Sequence, residues 1–119
     1  MSSIVINLTQ GSNDVDRASV AMVVAGASIA SAQETTVFLS SDGARLAAKG
    51  FADDLHEEGF APMAELISNY VLAGGTFLVC SPCAKKRGIG EEDLIEGAKI
   101  VGGATLVALL AGGAAALSF

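Results

Sequence analysis

The chain has 119 residues, a formal net charge of −6 and a 51% hydrophobic composition, with two cysteines and a single histidine. That length fits one domain, residues 1–119, and the apolar content suffices for one core. The acidic balance without a basic stripe argues against a nucleic-acid surface, and two cysteines are too few for a disulfide scaffold.

Ile4 to Leu8 is a β-branched, nearly continuous apolar run and predicts a central strand. Thr9 to Asn13 is a polar turn, after which Asn13 or Asp14 can cap a helix running from Asp14 to Ser31, with Asp16 at its positive end. That helix is apolar on nearly every face beyond Arg17, which predicts burial against a sheet and a further layer or subunit. Thr35 to Leu39 predicts a second strand. Ser41 or Asp42 can cap a short helical piece through Ala48, and Lys49 to Gly59 predicts an exposed connection. Pro62 suits the first position of a helix through Leu72, which Gly74-Gly75 stops. Thr76 to Cys80 predicts the third strand, with Ser81 capping and Pro82 opening the next helical turn. Glu91-Glu92-Asp93 carry the charge favoured at a helix start. Lys99 to Val101 predicts a short strand, Ala104 to Ala111 a helix, and Ala115 to Phe119 a last strand.

Two segments imitate membrane signals. The uncharged run from Ala18 to Gln33 ends near Ala30-Ser31-Ala32, but a strand-like segment and two aspartates precede it, unlike a signal peptide. Ile100 to Phe119 is uncharged and long enough to span a bilayer, yet it is broken by Gly102-Gly103 and Gly112-Gly113 and is rich in alanine. A buried helix followed by a strand is the better expectation, with no membrane partner.

Strands alternating with helices predict an α/β fold, a three-layer α/β/α arrangement around a mostly parallel five-stranded sheet of flavodoxin-like topology. Ligand sites in such sheets lie outside the carboxyl ends of the strands. Cys80 falls on that edge, and the turns holding Thr9, Gln10 and Gly11 and Ser40, Ser41 and Asp42 would form the rim of a pocket there.

Cys80-Ser81-Pro82-Cys83 holds both cysteines of the chain. A thiol between a strand end and a helix start meets unsatisfied backbone N–H groups, and Lys85, Lys86 and Arg87 follow before Gly88; both features favour a thiolate. Beside this stand plainer readings: cysteine is among the most buried residues and often only packs, and the three basic residues also suit a solvated helix face. A thioredoxin-like redox motif matches the spelling, but no proline follows Pro82 and no tryptophan precedes Cys80. A zinc site needs about four ligands, and His56, set among Asp53, Asp54, Glu57 and Glu58, reads as a solvated residue. No metal or other cofactor is therefore expected. Neither Gly74-Gly75 nor Gly102-Gly103 has phosphate-loop spacing, and Met22 and Met63 fall in apolar helical patterns that suit a core or an interface.

The stretch from Phe77 to Ile89, an apolar strand, a cysteine and then Arg87-Gly88-Ile89, resembles the signature of the DsrE/DsrF-like family. Glu92 to Val101 resembles that family's following helix and short strand, and the doubled cysteine is closer to its YchN-type branch than to the TusD type. The resemblance implies a compact parallel α/β subunit that assembles into trimers or hexamers in the cytoplasm. It also implies a sulfur relay of sulfurtransferase type, in which Cys80 carries a persulfide received from a donor protein and passed to an acceptor, with Cys83 assisting. Ser81-Pro82-Cys83 departs from the small apolar residues of TusD-type chains. A non-catalytic oligomeric module binding a small ligand at the strand ends, and a thiol–disulfide redox protein, are the alternatives. The apolar helices predict a homo-oligomer on their own account, because a subunit this small cannot cover them all.

Overall fold

A computed structural model describes residues 2–119. Five strands, β1 (Ser3–Leu8), β2 (Glu34–Leu39), β3 (Thr76–Cys80), β4 (Ala98–Val101) and β5 (Ala115–Ser118), form one sheet in the order β4-β3-β2-β1-β5. Every pairing is parallel. The helices are α1 (Val15–Ala30), α2 (Met63–Leu72), α3 (Ser81–Lys86) and α4 (Gly103–Ala111). The winding direction reverses once, after β4, whereas the flavodoxin order 2-1-3-4-5 reverses after its second strand. Residues of α1, α2 and α3 therefore share one face of the sheet, and α4 packs alone on the other.

The period of two along each strand sorts the core. On β3, Phe77 and Val79 join Ile6, Leu8, Val37, Leu39 and Met22 under α1 and α2, whereas Leu78 joins Val5 and Phe38 under α4. The first cluster is sealed by Tyr70, whose ring meets Phe77 edge-on at 5.0 Å. The Tyr70 hydroxyl accepts the Thr76 N–H at 3.1 Å and lies 2.8 Å from the Thr76 carbonyl oxygen. Burial pushes this phenol well above its ordinary range.

Three expectations change. The acidic stretch before β4 forms one 3-10 turn, Glu91–Asp93, and then runs extended. Its backbone is claimed by a neighbour: Ala48 and Leu94 form an antiparallel bridge, the Ile95 amide donates to Ala47 at 2.8 Å, and the Lys49 amide to Asp93 at 2.8 Å. A helix there would break these bonds. The caps also shift by a residue: Cys80, not Ser81, precedes α3, Pro62 precedes α2 instead of opening it, and Ser40 precedes the 3-10 segment Ser41–Ala47 with no side-chain cap. Asp14 caps α1 as expected, its carboxylate accepting the Arg17 amide at 3.0 Å.

The third change concerns the uncharged C-terminal stretch. It forms α4 and β5, but it is not buried within this chain: Val107 is 63% and Leu117 48% exposed, and all of β5 is exposed. Nine residues of helix are too few to cover that face of the sheet. No helix among the described residues is long and apolar enough to cross a membrane.

Candidate thiol site

The alternation along β3 that buries Val79 beneath α1 turns Cys80 to the α4 side, against Val101, Leu106 and Leu109. One helical turn later, Cys83 faces the opposite core cluster. Both thiols are free and half-buried, and they lie close enough at the carboxyl edge of the sheet to influence each other's ionisation. Pro82, in the first turn of α3, needs no amide partner there.

The loops after β1 and β2 are laced to this edge. Gly43 donates its amide to the Thr9 carbonyl at 3.1 Å, and the Ser40 amide donates to Leu8 at 3.1 Å. The Asp42 carboxylate accepts the Ser12 hydroxyl at 3.2 Å, the Asn13 amide at 3.3 Å and Arg45 Nε at 3.1 Å. The approach is close enough that a Cβ on Gly11 would stand 2.6 Å from the Asp42 carbonyl oxygen, so only glycine fits. Thr9 turns away to bond the Phe119 carbonyl at 2.8 Å, and Gln10 Nε2 donates to Thr9 Oγ1 at 2.9 Å. Of the rim residues, Ser41 is the one that reaches the thiols: its amide donates to Cys83 Sγ at 3.2 Å.

That bond unbalances the pair. Burial pushes the Cys80 thiol up, and its hydrogen bond to Cys83 pushes the same way, while Arg87 draws it down by less. Burial also acts upward on Cys83, but the Cys80 S–H, the Ser41 N–H and the positive charges of Arg87 and Lys86 outweigh it and hold Cys83 below the ordinary cysteine range. Arg87 is half-buried, its Nη1 donating to the Cys83 carbonyl at 3.2 Å. Ser81, Lys85 and Lys86 are exposed, and Gly88 leaves the helix at φ +70°. The Ser41 contact was not legible in the sequence. It depends on a left-handed Ser41, φ +51°, a conformation that serine seldom adopts and no local pattern marks.

His56 stands apart, its Nε2 2.7 Å from the Phe60 carbonyl oxygen. Among the described residues no three His, Cys, Asp or Glu side chains cluster as a metal site would.

A model of the DsrE/DsrF-like family matches residues 2–119. The chain belongs to that family. Among relatives of this DsrE/DsrF-like chain, the uncharacterized protein MJ0760 of Methanocaldococcus jannaschii is 32% identical over 103 residues, which are 87% of this chain and 37% of MJ0760. The match thus spans well under half of that relative. Two solved structures share the fold. The YchN protein of E. coli superposes over the whole of both chains with a TM-score of 0.84 at 21% identity. MTH1491 from Methanobacterium thermoautotrophicum, a protein of unknown function, also matches over the whole of both chains, with a TM-score of 0.73 at 18% identity.

Proposed function

We propose that this chain relays sulfane sulfur through the Cys80–Cys83 pair. One observation carries the reading: two free thiols stand together at the sheet edge, and one of them accepts the Ser41 amide and is held toward its thiolate. Family membership supports it: the chain belongs to the DsrE/DsrF-like family, and the resemblance of its Phe77–Ile89 stretch implies a persulfide carried at Cys80.

The arrangement divides the roles. Cys83, the thiol held toward its anion, ionises first and serves as the base for Cys80. As Cys80 attacks the outer sulfur of a persulfide donor, its proton passes to the Cys83 thiolate. A bond forms between Cys80 and the sulfane sulfur, the donor's S–S bond breaks, and the donor leaves as a thiolate with the electron pair. Nothing is oxidised or reduced overall, so no co-reactant is required. The positive charge of Arg87 favours the anionic persulfide formed at Cys80.

Mass spectrometry after incubation with a persulfide donor tests this. Wild type gains one sulfur and Cys80→Ser gains none; equal loading of both would remove Cys80 from the role.

The proposal includes self-association into a trimer or hexamer, supported by the apolar exposure of Val107, Leu110 and Leu117 on α4 and β5. Because Cys80 packs on the α4 side of the sheet, a neighbouring subunit on that face would stand beside the carrier thiol and shield it from water.

A further inference from the structure

We propose that the cleft lined by Arg45, Lys49 and Arg87 binds a small oxoanion group. The cleft has a volume of about 350 Å³ and is bounded by Arg45, Lys49, Phe51, Arg87, Gly88 and Ile89, among others. The Arg87-Gly88-Ile89 motif therefore lines it entire, whereas the thiol chemistry uses only its Arg87.

Two cations in the cleft have donors to offer. Among the described residues, neither the Lys49 ammonium nor the Arg87 guanidinium has a carboxylate within 4.0 Å; the ion pairs are Arg17–Asp14 and Arg45–Asp42. Lys49 Nζ spends one donor on the Glu92 carbonyl at 3.1 Å and keeps two. Arg87 spends Nη1 on Cys83, and its Nε is buried without a hydrogen-bond partner in the protein. Its Nη2 has no acceptor among the described residues, and since Arg87 lines the cleft, that nitrogen is the donor left for a bound oxygen. A planar donor fork beside a compact ammonium suits the several oxygens of a sulfate, sulfonate or phosphate group.

Of the two carboxylates that line the cleft, Asp93 is turned to another partner. Asp93 accepts the Gly90 amide at 2.8 Å, and the Glu92 carboxylate lies close over Gly90, where an added Cβ would meet its oxygens at 2.7 Å. The wall that carries Lys49 is fixed by the Ala48–Leu94 bridge and by the Lys49 amide on Asp93 at 2.8 Å. Since Arg87 also lowers the pKa of both cysteines, an anion held on it would reduce that influence, and binding should raise the first thiol ionisation.

The test is an amide chemical-shift titration with sulfate, at ionic strength held constant with chloride, on wild type and on the Cys80→Ser/Cys83→Ser double variant. Saturable shifts at Phe51, Gly88 and Ile89 are expected in both chains. Binding without thiols separates this site from the sulfur relay, which could fail independently. Lys49→Gln and Arg87→Gln should each weaken binding roughly tenfold, the loss of one charge-assisted contact. Should Arg87→Gln not fold, Lys49→Gln decides, because Lys49 is exposed. Shifts that follow ionic strength rather than sulfate, or undiminished affinity in Lys49→Gln, would overturn the proposal. A parallel titration with an alkyl sulfonate distinguishes the sources: binding equal to that of sulfate marks the head of a larger molecule, and binding of sulfate alone marks the free ion.

Discussion

The backbone amide of Ser41 donates to the sulfur of Cys83 across 3.2 Å, from a residue held at φ +51°. The bond joins the loop after β2 to α3, and its geometry depends on a backbone conformation rather than on the exposed Ser41 side chain. Ser41→Gly, which tolerates the left-handed region, should leave the thiol pair unchanged. Ser41→Val, whose branched side chain disfavours it, should draw the amide away and raise the first ionisation of the pair by on the order of one pH unit, the worth of one charge-assisted hydrogen bond. Thiolate absorbance against pH measures this, and identical curves for the two variants would show that the amide does not hold the charge.

Linkage gives the pair a pH signature with two opposing parts. Cys83 has a folded pKa below its unfolded one, so its contribution to stability is present above the unfolded value and is lost as pH falls through the folded value. Cys80 is raised, so its contribution is present below the unfolded value and is lost as pH rises through the folded one. Cys83→Ser should therefore abolish the gain in stability with rising pH at the lower edge of the thiol range, and denaturant unfolding across that range would detect it. An unchanged profile would mean that Cys83 is not depressed.

The second thiol also limits how long a loaded sulfur survives. A Cys83 thiolate can attack the inner sulfur of a Cys80 persulfide, forming the intramolecular disulfide and expelling hydrosulfide; the sulfane sulfur is reduced and the two cysteines are oxidised. Loaded wild type should release sulfide on standing, whereas loaded Cys83→Ser should keep its persulfide for at least several-fold longer. Sulfide release at equal rates from both proteins would show that Cys83 does not resolve the persulfide.

The strands were legible because their residues carry their own signal. Thr76 to Cys80 is apolar, β-branched and aromatic between Gly75 and Ser81-Pro82, and the observed β3 has those bounds. Cys80 at the carboxyl edge followed from that strand alone. The connection after Asp93 was not legible: Leu94 and Ile95 are extended because Ala47 and Ala48 lie beside them, and no local pattern records a partner half a chain away. Nor could hydropathy say what covers α4. Apolar composition tells that a face avoids water, not whether its own chain or another copy shields it.

Tyr70 ties α2 to β3, and its removal should be costly in proportion. Tyr70→Phe keeps the ring on Phe77 but leaves the Thr76 amide without its acceptor at 3.1 Å. A loss of about 1–3 kcal/mol is expected, read as a lowered midpoint with an unchanged slope in denaturant unfolding. Thiol reactivity should be untouched, since Tyr70 packs at the amino end of β3 and the cysteines lie beyond its other end.

Val107, 63% exposed on α4, separates assembly from folding. Within one chain it makes little contact, so Val107→Glu should leave the stability of the isolated subunit within about 0.5 kcal/mol of wild type. If α4 is the seat of self-association, the same change places an unpaired carboxylate in an apolar interface and should shift the oligomer to monomer at micromolar concentration. Light scattering coupled to size exclusion distinguishes the two species. Because Cys80 packs beneath α4, the monomeric variant should also react faster with a bulky thiol reagent than wild type does. A variant that remains oligomeric with unaltered thiol reactivity would place the subunit contact on another face.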